Sequence, residues 1–324
     1  MGRGCPAPPT RRPMRVAFLG SPPFATPILR RLLESPHEVL CLVTPPDRPR
    51  GRGRGVSRSE LALLADEAGL PVLQPTTTKD PEFVATLGSL GADALMVASY
   101  GEILRPEILE LCPHGALNVH GSLLPRWRGA SPIQRAVAAG DAETGVSVQR
   151  MVLALDAGDV LLSRRTKIGP EETSAALFDR LAELGADAAV EALHLIQAGN
   201  ATYEPQDNAL VTLAPKLTKD DGRLDFNQDA AVVARHVRAM TTWPGARTRL
   251  PGGKDLVILE AAPEDSAPGD PPYSPGTILP GPGLRVQVTG GAVRLRRVKP
   301  AGKGAMEDTA FLNGARLDPG QPLG

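Results

Sequence analysis

Aromatic residues make up only 3% of this 324-residue chain, so whatever cores it builds rest on Ala, Val and Leu. Cysteine is nearly missing. Cys5, Cys41 and Cys112 stand far apart, form no CxxC pair and match no metal-ligand spacing, which points to a reducing compartment and a cytoplasmic protein without a resident metal. No apolar run approaches the roughly 20 residues that a spanning helix needs, so no membrane partner is expected. Neither sign of charge is in excess, with 36 basic and 36 acidic residues, so only the distribution of charge can speak of partners. The glycine loop GSPPF (20–24) is not GxGxxG, which disfavours a nicotinamide cofactor. No serine or cysteine sits in a nucleophile elbow, which argues against a covalent acyl-enzyme. There is no internal repeat.

The opening MGRGCPAPPTRRP (1–13) holds Pro, Gly and Arg and no acid, and is expected to be an unstructured extension. It lacks the apolar stretch of a secretory signal, Pro6 stands where a myristoylation motif needs Ser or Thr, and its prolines oppose an amphipathic transit helix. From Met14 onward short apolar runs alternate with helical spacing. MRVAFLG (14–20), HEVLCLVTPP (37–46), the end of LALLADEAGLPVLQP (61–75), GADALMVASYG (91–101) and LNVHG (117–121) are expected strands. Alternation at this pitch predicts an α/β domain with a mostly parallel, doubly covered sheet, whose ligand crevice lies beyond the carboxyl ends of its strands. SPIQRAVAAG (131–140) carries a Ser cap, a Pro at the first helical position and a closing Gly; GVSVQRMV (145–152) alternates as a strand; residues 171–199 form a long amphipathic helix. After about residue 205 one helix (229–240) is followed by ARTRL, KDLVILEAA, GTILP, LRVQVTG and GAVRLRRVKP, punctuated by Gly and Pro, the pattern of a small β barrel or sandwich. The Pro-rich stretch 262–276 interrupts it. The expected division is an extension to residue 13, a first domain at 14–204 and a second at 205–324.

LNVHGSLLPRWRG (117–129) holds the strongest chemical signal. Asn118 and His120 lie two apart on an extended segment, so their side chains share one face at a strand end. DAGD (156–159) comes later at a strand boundary and offers Asp156 or Asp159 as a carboxylate partner. An amide that donates to a developing oxyanion, an imidazole that moves a proton and a carboxylate that supports it suit acyl or formyl transfer to an amine.

Two stretches are basic. DRPRGRGRGVSR (47–58) contains Arg48, Arg50, Arg52 and Arg54 and follows the second strand, on the same rim as His120. RLRRVKPAGKG (294–304) contains Arg294, Arg296, Arg297, Lys299 and Lys303 and no acid. Such patches in a chain of zero net charge suggest a localised polyanion surface.

NVHGSLLPRWRGASPIQ, LDAGD, PDRPRGRG and KPAGKGAM together resemble the methionyl-tRNA formyltransferase family, over about residues 14 to 317. NVHGSLLP alone indicates only the wider group of enzymes that use 10-formyltetrahydrofolate. The resemblance implies a Rossmann-like formyltransferase domain followed by an OB-like barrel. It implies formyl transfer from 10-formyltetrahydrofolate to the methionine of initiator methionyl-tRNA, for translation initiation. Nothing in the sequence suggests an obligate dimer, so a monomer is expected. It assigns the catalytic trio to Asn118, His120 and Asp156. It assigns the folate pocket to backbone and side chains of the stretch around Met96 to Ile103, with Tyr100 and Gly101, to the segment leading to Asp156, and to the turn Ser122, Leu123, Leu124 and Pro125. It sets Arg52 against the acceptor end of the tRNA, in a loop expected to move freely before the tRNA binds. A formyltransferase for a small amine or nucleotide sugar, and an RNA-binding module on the same fold, are the alternatives. The first need not carry a basic barrel, and formylation of methionyl-tRNA separates all three.

Overall fold

The computed structural model describes residues 12–47, 57–264 and 273–324. In chain order the elements are β1 (Arg15–Gly20), α1 (Ala25–Glu34), β2 (Glu38–Val43), α2 (Glu60–Glu67), β3 (Val72–Leu73), α3 (Pro81–Ser89), β4 (Ala94–Ala98), α4 (Pro106–Leu109), β5 (Ala116–His120), α5 (Pro132–Ala139), β6 (Glu143–Arg150), β7 (Val160–Lys167), α6 (Ser174–Ala198), α7 (Ala230–Ala239), β8 (Ala246–Arg249), β9 (Asp255–Glu264), β10 (Arg285–Val288), β11 (Gly291–Pro300), β12 (Met306–Glu307) and α8 (Asp308–Gly314). The described residues gather into two compact units. One takes its members from Met1–Arg128, Gly145–Arg165 and Asp179–Thr212, the other from Gly129–Thr144, Thr166–Phe178 and Leu213–Gly324.

The first unit is built on a seven-stranded sheet of order β3-β2-β1-β4-β5-β6-β7. β1 to β5 pair in parallel, as the alternation of strand and helix predicts, and β6 runs antiparallel to β5. β4 is buried along its whole length, which is why it reads as a continuous apolar run rather than an alternating one. Strand order turns back between β1 and β4, and their carboxyl ends open the crevice that such sheets use for ligands. The turn after β1 is tight: a Cβ on Gly20 would stand 2.7 Å from that of Ala25, and the Ser21 amide donates to Ala98 O at 3.3 Å.

Local signals fix most helix ends. The Ser59 hydroxyl accepts from the Ala62 amide at 3.2 Å and starts α2. Asp80 accepts from the Glu82 amide at 3.0 Å, with Pro81 next, and starts α3, a helix the sequence pattern does not announce by its apolar spacing. The expected cap on α5 is corrected: Ser131 makes no side-chain cap bond, and its hydroxyl accepts from the Leu217 amide at 3.3 Å, where it ties a distant loop instead. Gly140 closes α5 as expected, in the left-handed conformation with φ 75°.

The second unit holds a curled, five-stranded antiparallel sheet of order β10-β11-β9-β8, with β12 against β11. GTILP forms no named strand. Only Thr277 and Ile278 make isolated bridges, to Pro322 and Val286, because Pro280 and the glycines beyond it end the run. β11 carries a bulge. Arg294 pairs with Ala262 and Arg297 with Glu260, so Leu295 and Arg296 together oppose Ala261; Leu295 and Val298 both point inward while Arg296 and Arg297 both face out.

Candidate active site

The site is assembled by the antiparallel register of β5 and β6. Asn118 lies opposite Gln149 and His120 opposite Ser147, so four polar side chains share one face of the sheet. The loop Met151–Asp159 leaves β6 and turns back over them. Gly158 is what lets it approach: a Cβ there would be 1.6 Å from the Arg150 carbonyl oxygen. Asp156 takes the left-handed conformation, φ 47°, which a short polar residue tolerates.

This return brings the carboxylate to the strand pair. Asp156 Oδ2 lies 3.7 Å from His120 Nδ1. Its Oδ1 accepts from Gln149 Nε2 at 2.9 Å and from Asn118 Nδ2 at 3.4 Å. His120 Nε2 is 2.9 Å from the Trp127 carbonyl oxygen. A carbonyl only accepts, so Nε2 carries the hydrogen, and in the neutral ring Nδ1 is the nitrogen free to take a proton, facing the carboxylate. The His120 side chain is 7% exposed and that of Asp156 13%, so their interaction is weakly screened by solvent. Trp127 is held in turn. Its amide donates to Thr212 Oγ1 at 2.9 Å, it adopts φ 63°, and the Arg126 guanidinium stacks 4.4 Å over its ring. Ser147 fixes the SLLP turn: its hydroxyl donates to Ser122 O at 2.8 Å and accepts from the Leu124 amide at 3.1 Å. Its one hydrogen is then used, so at the 3.0 Å contact with Ser163 it is Ser163 that donates.

Geometry distinguishes the two aspartates. Asp156 meets the imidazole, whereas Asp159 is exposed and gives its backbone carbonyl to the Arg150 amide at 2.9 Å. Other expected residues are placed less simply. Met96 is fully buried, which corrects its assignment to a pocket wall: β4 is covered on both faces, so its side chain is core. Tyr100 is also buried, and burial, with Glu102 beside it, pushes its phenol above the ordinary range. Gly101 is exposed, with φ 86°, and Ile103 beside it is 81% exposed. Ser122 is fully buried and donates to Arg126 O at 2.6 Å, while Leu123, Leu124 and Pro125 are half-buried. Arg48, Arg50, Arg52 and Arg54 lie outside the described residues. The base of their loop is described: Asp47 accepts from the Ser59 amide at 3.1 Å, and Arg58 pairs with Asp47 and with Asp66.

In the second unit Arg294 donates to Asp308 at 2.8 Å. Burial alone would raise that carboxyl, but the bonds from Arg294 and from the Leu284 amide hold it below the usual carboxylate range. Arg297 meets Glu260 at 3.3 Å and lies across from Glu307. Arg296, Lys299 and Lys303 are exposed. No group of three or more His, Cys, Asp or Glu suited to a metal occurs among the described residues.

The sequence pattern did not single out Gln149, Gln206 or the Trp127 carbonyl. A signal existed for the first: in GVSVQ the polar residues Ser147 and Gln149 alternate just as His120 and Asn118 do on β5. For Gln206, in a segment without periodicity, there was none.

A mostly parallel sheet with an amide, an imidazole and a carboxylate gathered at the β5–β6 strand pair suits a transferase of acyl-type groups to amines. Comparison with known proteins agrees. A family model described as formyl transferase matches residues 14–193, and one described as formyl transferase, C-terminal domain, matches 216–316. The methionyl-tRNA formyltransferase of Anaeromyxobacter dehalogenans is 46% identical over 306 residues, 94% of this chain and 97% of that protein. That of a Methylobacterium species is 44% identical over 310 residues, 96% of this chain and 99% of the other. Among solved structures, HypX from Aquifex aeolicus in complex with tetrahydrofolic acid superposes with a TM-score of 0.62 at 18% identity, covering 96% of this chain and 51% of that one. An N-formyltransferase from Helicobacter canadensis in complex with folinic acid and dTDP-3-aminofucose gives 0.65 at 14% identity, covering 87% and 98%. The chain belongs to the formyl transferase family, and within it to the methionyl-tRNA formyltransferases.

Proposed function

We infer that this chain transfers the formyl group of 10-formyltetrahydrofolate to the α-amino group of methionine on initiator methionyl-tRNA, in the cytoplasm, for translation initiation. The observation that carries the reading is the convergence of Asn118, His120 and Asp156 in a chain whose full-length relatives are methionyl-tRNA formyltransferases.

The amine lone pair forms a bond to the formyl carbon, and the carbonyl oxygen becomes an oxyanion. Asn118 has two amide hydrogens; one faces Asp156 Oδ1 at 3.4 Å and the other is available to that oxygen. Nδ1 of His120 takes the proton that the amine loses, and the Asp156 carboxylate at 3.7 Å balances the resulting charge. The carbon–N10 bond then breaks and N10 takes a proton, which leaves tetrahydrofolate and the formylated amine. The water-poor surroundings of His120 strengthen each of these interactions.

The apolar part of the folate fits the loops that frame the site. Ile103, Leu153 and Leu155 are 81%, 64% and 68% exposed, and such side chains favour a flat apolar cover. Leu153 and Met151 also line a cleft of about 470 Å³ with Pro106 and Leu109. In this reading residues 14–204 carry the chemistry and 205–324 hold the tRNA, as a monomer. Arg296, Lys299 and Lys303 supply sequence-blind phosphate contacts, and the 47–58 loop meets the acceptor end.

The test is direct. The purified chain is incubated with methionyl-tRNA and 10-formyltetrahydrofolate, and the product is analysed for formylmethionyl-tRNA. Formylation of a dTDP-amino sugar in place of methionyl-tRNA would overturn the assignment of the acceptor.

A further inference from the structure

Behind the Asp156 carboxylate runs a chain of two amides with a single direction, Gln149 buried and Gln206 half-buried. It starts at Arg128, a buried arginine. Arg128 Nε donates to Gln206 Oε1 at 3.0 Å. A guanidinium can only donate, so this contact fixes which end of the Gln206 amide is oxygen. The Gln206 nitrogen must then face the opposite way. It meets Gly158 O at 2.6 Å, Asp156 O at 2.9 Å and Gln149 Oε1 at 3.3 Å, all acceptors. With its oxygen turned to Gln206, Gln149 has only its NH2 to offer Asp156 Oδ1, at 2.9 Å. Gln149 is 1% exposed, so its end of that bond is shielded from solvent.

We propose that Gln149, oriented through Gln206 by Arg128, is the positioning residue of the formyl-transfer centre: it holds Asp156 Oδ1 and so turns Oδ2 toward His120. Gln149 touches no reacting atom. It acts by keeping one carboxylate oxygen occupied and by favouring the ionised carboxylate, which accepts where the neutral acid would have to donate from one oxygen. Gln206 adds a second constraint, because its two carbonyl contacts hold the left-handed turn at Asp156 and the close approach at Gly158. The charged groups that these contacts bring to Asp156 are His120 across the gap and Arg128 beyond Gln206.

The inference rests on Asn118, His120 and Asp156 being the reaction centre, and the test separates the two. Four proteins are compared: the parent, Asp156→Asn, Gln149→Met and Gln149→Glu. For each, kcat and KM for both substrates are measured from pH 5.5 to pH 9, with a thermal melt. Gln149→Met should lower kcat roughly tenfold to a hundredfold, the loss expected for a hydrogen bond to a charged group, with both KM values within about twofold of the parent. Gln149→Glu has nearly the same shape. While its new carboxyl is protonated it donates to Asp156 as the amide did; once ionised it repels Asp156. Its kcat should therefore approach that of the parent at the acid end and fall away as pH rises, a limb the parent lacks. A purely structural role for Gln149 would lower the melting temperature and give no such pH-dependent rescue.

Parent-like kcat in Gln149→Met, or a Gln149→Glu profile parallel to the parent's, overturns the proposal while a crippled Asp156→Asn leaves the reaction centre standing. Parent-like turnover in Asp156→Asn removes the centre itself and the proposal with it. If Gln149→Met fails to fold, the isosteric Gln149→Glu profile decides alone.

Discussion

The carbonyl oxygen of Arg150 lies where a β-carbon on Gly158 would be, 1.6 Å away. The loop that carries Asp156 therefore rests on the strand that carries Gln149 with no room for a side chain, and backbone contact helps to set the position of the Asp156 carboxylate. Gly158→Ala is expected to push this loop off β6. A displacement of about 1 Å at a reacting group costs roughly a hundredfold in rate. Steady-state kinetics should show that loss in kcat, while circular dichroism shows an intact sheet.

Asn118→Ala and His120→Ala each remove one member of the proposed reaction centre. The loss of an oxyanion donor such as Asn118 costs about 3 kcal/mol, roughly a hundredfold or more in turnover, and the loss of a general base such as His120 roughly a hundredfold to ten-thousandfold. Equilibrium binding of folate should stay nearly unchanged in both variants. Near-normal turnover in either would remove that residue from the mechanism.

His37 makes folding stability depend on pH. It is buried, its Nδ1 accepts from the Met14 amide at 3.3 Å, and its ring lies 4.8 Å from that of His194. Burial, and then the neighbouring His194, lower it from 6.5 to about 4. The unfolded chain thus takes a proton as pH falls through 6.5, while the folded chain resists until about 4. Stability present above 6.5 is lost across that window, up to about 3 kcal/mol. Urea titrations at pH 7 and pH 5 should show the drop in the parent and a smaller one in His37→Leu.

The basic residues of β11 divide by environment. Asp308 is 3% exposed and Arg294 is its charged partner, so Arg294→Ala leaves a buried carboxylate short of a donor. It should cost about 2 kcal/mol in denaturant unfolding. Arg296→Ala should leave unfolding unchanged, raise KM for charged tRNA and reduce the salt dependence of tRNA binding by about one counterion.

The 47–58 loop gives a paired expectation. Arg52→Ala should raise KM for methionyl-tRNA and lower turnover while folate affinity stays as it was. Arg58→Ala, which breaks the pairs to Asp47 and Asp66 at the loop's base, should also raise KM for the tRNA by loosening the loop's anchor. Parent-like kinetics of Arg52→Ala at physiological salt would mean that Arg52 takes no part in binding the tRNA.

Most strands and the long helices of both units were legible because their apolar residues form short continuous runs, alternate, or repeat near four, and because Gly and Pro punctuate them. The exceptions have physical causes. α3 begins at an Asp80–Pro81 signal but has only two buried residues, Phe83 and Leu87, so its stripe is faint. The outward pair Arg296 and Arg297 comes from a bulge, which alternation cannot foresee because it inserts a residue. Met96 is expected near the folate pocket from the family resemblance, and its side chain lies in the core because β4 is covered on both sides.

The sequence by itself determined the fold class, the pairing of Asn118 with His120 on one strand face and the presence of a carboxylate at 156 or 159. Those follow from local geometry: the two-residue period of a strand and the punctuation of turns. Only the tertiary structure decided which aspartate faces the imidazole, that Gln149 and Gln206 stand behind it, and that Arg294 is a structural partner of Asp308. Each of these depends on cross-strand register and on groups up to 78 residues apart, such as Arg128 and Gln206, and no local pattern encodes contacts made at that range.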